Sequence, residues 1–131
     1  MANDDKKCVM VVDDNEVNIE ILERRLSARG FDVVGISNSF AVMDSLGERR
    51  PDVVVLDLFM PDKDGYEVVS EIKAHDDFKT IPVIGYSSAV FDEDFERARE
   101  AGCDDLCAKD GDVRVLMKKI EVLLGIASKS A

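Results

Sequence analysis

Two adjacent acids, Asp13 and Asp14, follow the apolar run Cys8–Val12, and a third, Asp57, follows the continuously apolar run Val53–Leu56. Ser87 and Ser88 follow another apolar run at 82–86, and Lys109 follows Asp105–Ala108. Carboxylates drawn together repel, and each raises its neighbours' pKa unless a cation offsets the charge. Lys109 supplies one cation. A hard divalent ion such as Mg²⁺, which takes carboxylate, carbonyl and water oxygens in an octahedral shell, supplies another. A site of this composition suits metal and phosphate together. Ionised Asp57 attacks phosphorus as nucleophile, while Mg²⁺ and Lys109 stabilise charge on the equatorial oxygens of the transferring group. The product is an aspartyl phosphate. Ser87 then donates its hydroxyl to a phosphoryl oxygen, which gives the loop after it a reason to move.

Each of these residues taken singly has a plainer reading, because Asp or Ser after a strand is often the N-cap of the next helix. That reading does not account for Asp57, which is separated by 58–61 from a helix expected to begin near Asp64 and Gly65. Asp14 or Asn15 could cap the first helix, but one cap does not call for two acids and an asparagine in succession.

The elements that must position these groups follow from hydrophobic periodicity. Strands are predicted at Cys8–Val12, Asp32–Ile36, Val53–Leu56, 82–86 and Asp105–Ala108. The third is apolar at every position, as a central parallel strand covered on both faces must be. Helical spacing recurs between the strands, first as Ile19, Leu22 and Leu26, ending near Arg29 with Gly30 as a left-handed cap. It returns as Val42, Met43 and Leu46, as Val68, Val69 and Ile72, and as Phe91, Phe95 and Ala98 closing at Gly102. The last stripe is Val113, Leu116, Met117, Ile120, Leu123 and Leu124. Five strand-helix units require parallel pairing through right-handed crossovers, which is a doubly wound α/β sheet. Functional groups in such sheets gather outside the carboxyl ends of the strands, where every residue named above falls.

Length and composition fit one domain. The chain has 131 residues, 46% hydrophobic and 34% charged, the balance of a folded globular unit. Its core is expected over 7–126, with a loose small-residue tail at 127–131. A formal net charge of −11 disfavours a sequence-independent grip on nucleic acid, which needs Lys and Arg against phosphates. The run after the polar residues 1–7 is too short for a signal peptide or membrane span, so a cytoplasmic protein is expected. Cys8, Cys103 and Cys107 lack metal-site spacing and read as reduced core residues. His75, the single histidine, reads as a solvated side chain.

The segments VVDDN at 11–15, VVLDLFMPDKDG at 54–65, IPVIGYSS at 81–88 and AGCDDLCAKD at 101–110 resemble the receiver domain of two-component response regulators over nearly the whole chain. The resemblance implies a flavodoxin-like five-stranded parallel sheet of order 2-1-3-4-5. It implies Asp57 as the phosphorylation site, Asp13 and Asp14 as an acidic pair holding Mg²⁺ with Asp57 and the backbone carbonyl of Phe59, Ser87 as the hydroxyl switch residue, and Lys109 as the lysine of the site. It further implies a histidine kinase or histidine phosphotransfer protein as donor, a self-catalysed transfer and dephosphorylation rather than a classical enzyme, and output through the fourth helix, fifth strand and fifth helix.

Three positions depart from or colour the pattern. Leu106 stands where the family usually has a switching Tyr or Phe. Asp110 follows the lysine where a proline, often cis, is common, and a non-proline cis bond costs roughly 3–4 kcal/mol. Phe59 puts an aromatic beside the acceptor, where it is expected to hinder a hydrolytic water and prolong the phosphorylated state. The preferred reading is a stand-alone receiver that signals to a downstream protein in trans, as a monomer or a phosphorylation-linked dimer. A receiver excised from a hybrid kinase and a pseudo-receiver acting as a constitutive interaction module are the alternatives. An aspartyl-phosphate phosphatase would want an acid where Phe59 stands, and a dinucleotide binder would want a Gly-rich turn in place of Asp13-Asp14-Asn15.

Overall fold

The computed structural model describes residues 6–61, 63–88, 91–109 and 112–126. The expected isomer of the Lys109–Asp110 bond and the tail at 127–131 lie outside them. Five strands alternate with five helices: β1 (Cys8–Val12), α1 (Glu16–Ala28), β2 (Asp32–Ile36), α2 (Val42–Glu48), β3 (Val53–Leu56), α3 (Gly65–Ala74), β4 (Val83–Ser87), α4 (Asp92–Ala101), β5 (Asp105–Ala108) and α5 (Val113–Leu124). All pairings are parallel, in the order β2-β1-β3-β4-β5. The chain winds outward from β1 to β2 and then the other way from β3, so the topological switch lies between β1 and β3.

Strand alternation divides the apolar residues between two layers. Met10, Val12, Val54 and Leu56 face α2, α3 and α4 with Val42, Leu46, Val69, Ile72 and Ala98. Val9, Val11, Val53 and Val55 face α1 and α5 with Leu22, Leu26, Leu116 and Ile120. Covered on both sides, β1 and β3 are buried at every position, which is why neither reads as alternating polar and apolar.

The helix signals stand with three adjustments. Asn15, not Asp14, caps α1, its side chain accepting from the Val17 and Asn18 amides, and Gly30 takes the left-handed conformation at φ 93°. The fourth strand runs one residue later than the expected 82–86 and takes in Ser87, because Pro82 has no N–H to offer a ladder. In α4 only Ala98 is buried; Phe91 and Phe95 are 65% and 43% exposed, so the expected stripe buries only its last residue. A short 3₁₀ turn at Ser39–Ala41 leads into α2. Cys8, Cys103 and Cys107 are buried, and His75 is exposed, its ring stacked on Phe78 at 4.3 Å.

The start of α3 is set by a close approach. Asp64 caps the helix by accepting from the Glu67 amide at 3.0 Å, and the Gly65 amide donates to the Leu58 carbonyl at 3.1 Å. A Cβ on Gly65 would meet the Asp57 carbonyl and lie 2.6 Å from the Leu58 Cα, and backbone cannot yield as a flexible side chain does. Gly65→Ala is expected to cost about 1–3 kcal/mol, measured as a lower urea midpoint with an unchanged slope.

Candidate functional site

The backbones of the site residues are extensions of the sheet ladder. The Asp13 amide donates to the Ile36 carbonyl at 3.1 Å, the Asp57 amide to the Val12 carbonyl at 2.9 Å, and the Lys109 amide to the Ser87 carbonyl at 2.7 Å. Four strands thereby deliver Asp13, Asp57, Ser87 and Lys109 to one edge, at the β1/β3 switch point where open α/β sheets bind ligands.

Asp13, Asp14 and Asp57 each bring a carboxylate oxygen to within 4.8 Å of the others. Asp13 and Asp57 are buried and Asp14 is exposed, so the cluster opens to solvent along one side. Lys109 Nζ lies 2.7 Å from Asp13 Oδ2 and 3.4 Å from Asp57 Oδ2. Asp13 is held further by the Asn15 amide on Oδ1 at 2.9 Å and by the Asn18 side-chain amide on Oδ2 at 3.3 Å. Asp57 Oδ1 accepts from the Phe59 amide at 3.0 Å. The Ser87 hydroxyl, 1% exposed, accepts from the Leu58 amide at 3.3 Å.

The electrostatics follow from this packing. Burial pushes the Asp57 carboxyl above its ordinary range, and Asp13 adds to the rise, while the Phe59 amide and Lys109 draw it back; the net direction is up. Burial pulls Lys109 downward, but its contacts with Asp13 and Asp57 outweigh that, and its net direction is also up. An all-oxygen donor set with an open side fits a hard divalent cation and offers nothing to a soft one.

Of the expected residues, Asp13, Asp14, Asp57 and Lys109 are brought together, with Ser87 next to the acceptor segment. Phe59 sits at the rim, 47% exposed, its ring edge-on to Tyr66 at 6.2 Å. Leu106 is buried in the layer beneath, packed with Leu58 against the space a side chain on Gly85 would need. Sequence reasoning missed Asn18, although an asparagine in a helix interior is a poor helix former and its place three residues after Asn15 puts it back over the first strand's end.

A family model described as response regulator receiver domain matches residues 9–121. The polar-differentiation response regulator DivK of Brucella anthropi is 32% identical over 121 residues, covering 92% of this chain and 98% of that one. The receiver domain of a signal transduction histidine kinase from Syntrophus aciditrophicus superposes with a TM-score of 0.83 at 28% identity, covering 95% of each chain. The Mn(2+)-bound form of response regulator Rcp1 superposes at 0.73 with 25% identity, over 91% of this chain and 90% of that one.

Because the folded pKa of Asp57 lies above its unfolded value, the folded chain holds that proton more tightly. Ionisation therefore lowers stability as pH rises through the folded pKa. In chelator, Asp57→Asn is expected to melt higher than the wild type at neutral pH, with the advantage disappearing on acidification below the unfolded carboxylate range. Thermal melts across that pH span check it.

Proposed function

Since this chain belongs to the response regulator receiver domain family, we propose that it accepts a phosphoryl group on Asp57 from a phosphohistidine and signals by phosphorylation-dependent contact with another protein. The observation that carries this reading is the convergence of three carboxylates within 4.8 Å, with the Lys109 ammonium 2.7 Å from one and 3.4 Å from another.

Asp57 Oδ1 accepts from the Phe59 amide at 3.0 Å and Oδ2 lies 3.4 Å from Lys109 Nζ, so the carboxylate is held in position by both oxygens. Its attack forms an O–P bond as the P–N bond of the donor histidine breaks, and the departing imidazole keeps the electron pair and takes up a proton from solvent. Lys109 faces the equatorial phosphoryl oxygens and offsets their charge. Asp13, Asp14, Asp57 and the Phe59 carbonyl would hold Mg²⁺, which supplies further charge neutralisation on the same oxygens. Ser87 accepts one hydrogen bond through its oxygen, so its own proton is free to be donated to the bound phosphoryl group. Residues 1–131 act as one receiver unit in this reading, with a histidine kinase or histidine phosphotransfer protein as donor.

The buried Leu106 favours a second reading, a constitutive interaction module with no switch. Acetyl phosphate with Mg²⁺ separates the two. The wild type is expected to gain the mass of one phosphoryl group, Asp57→Asn none, and chelation of the metal to abolish labelling. Lys109→Ala should slow it by about 10²-fold. A wild type that gains no mass, and shows no spectral change with beryllofluoride, would establish the module instead.

A further inference from the structure

Among the described residues, one buried side-chain polar atom has no hydrogen-bond partner, and it is the Tyr66 hydroxyl. Tyr66 is 6% exposed and lies in the apolar layer with Met60, Ala98, Cys103 and Leu106. Buried polar groups in folded proteins are paired with few exceptions. Phenylalanine would fill the same space without an unmade bond.

The ring is tied in two directions. On one side it follows Gly65, whose amide bonds the Leu58 carbonyl at 3.1 Å and whose Cα rests against the acceptor backbone with no room for a methyl group. The ring also meets the Phe59 ring edge-on at 6.2 Å. On the other side α4 reaches across: the Arg97 guanidinium lies 3.9 Å from the ring centroid and 3.9 Å from the Asp64 carboxylate. These contacts form a continuous path from the Asp57–Leu58 backbone through Gly65 to the Tyr66 ring, and from the ring to α4.

We propose that Tyr66 is a positioning residue that ties the acceptor segment to α4, and that its hydroxyl gains a hydrogen-bond partner on α4 when the site at Asp57 is filled. This rests on Asp57 being the acceptor. Filling the site draws the Ser87 hydroxyl toward the new oxygens and away from the Leu58 amide it now serves, and the segment beneath Gly65 shifts. A ligand moves an equilibrium only through interactions that differ between the two states, and a bond made in one state alone is such a difference. The acid acting most strongly on the phenol is Asp94 of α4, and burial keeps the phenol protonated as a donor. Asp94 stands in the first turn of α4, where it accepts from the Phe91 amide at 2.7 Å, and so places an acid on the helix that Arg97 ties to the ring.

The chain has two tyrosines, which makes the test direct. The full chain is labelled with 3-fluorotyrosine, its two ¹⁹F lines are assigned with Tyr66→Phe and Tyr86→Phe, and Mg²⁺ with beryllofluoride is added. The Tyr86 ring lies 5.8 Å from Lys109 Nζ and reports filling of the site itself. Both lines are expected to move in the wild type. In Arg97→Ala the Tyr86 line should move as before while the Tyr66 displacement shrinks. Tyr66→Phe should melt at least as high as the wild type, yet lose most of the amide shift at Ala98 on filling. A moving Tyr86 line beside a stationary Tyr66 line overturns the inference and leaves the acceptor reading intact, and so does a Tyr66 displacement indifferent to Arg97. If neither line moves, the acceptor reading fails and this inference with it. A Tyr66→Phe chain that melts lower than the wild type would mean the hydroxyl is already paired, and would also overturn it.

Discussion

Two buried carboxylates, Asp13 and Asp57, face each other at the ends of neighbouring parallel strands, and the Lys109 ammonium between them is what makes that arrangement tenable. At an effective dielectric of 20, unit charges about 4 Å apart interact by about 4 kcal/mol, a large fraction of the stability of a domain this size. Three carboxylates against one ammonium leave two negative charges in a space a few ångströms across. A divalent cation brings that balance to zero. The same excess that makes the empty cluster costly favours a divalent cation, and in the proposed function that cation would offset the charge of an incoming phosphoryl group.

The fold exists to hold that cluster in place. Asp13, Asp57 and Lys109 each have a backbone amide bonded to the neighbouring strand, so the two buried carboxylates cannot relax apart by moving the main chain. Relief through the side chains is limited too, since Asp13 is fixed by the Asn15 amide, the Asn18 side chain and Lys109 together. The two apolar layers on either face of β1 and β3 supply the stability against which this local repulsion is maintained. The proposed movement belongs to the Ser87 hydroxyl, which accepts from the Leu58 amide, and to the packing of α3 on α4 around Tyr66.

Much of this was legible in the sequence. Unbroken apolar runs at Val53–Leu56 and Cys8–Val12 gave the central strands because a strand covered on both faces has no polar side to show. The acids after those runs gave the site, because strand order puts their ends side by side. What sequence could not supply was the direction of side chains. Phe91 and Phe95 sit at helical spacing with Ala98, yet they point away from the core, since periodicity marks a face without saying whether anything covers it. Tyr66 was invisible for the opposite reason: the Arg97 guanidinium over its ring comes from a distant part of the chain that local patterning does not encode. Asn18 lies close to Asp13 in sequence, but helical spacing alone does not say that its amide reaches the Asp13 carboxylate.

The proposed function requires one divalent ion in the space shared by Asp13, Asp14 and Asp57. Paramagnetic broadening of ¹⁵N amide resonances by substoichiometric Mn²⁺ measures it directly. On that requirement the amides of 13–15, 57–60, Ser87 and Lys109 are expected to vanish first, and Mg²⁺ in excess to restore them. Broadening that begins instead among the exposed acids of α1 or α4, with Asp57 and its neighbours untouched, would contradict it.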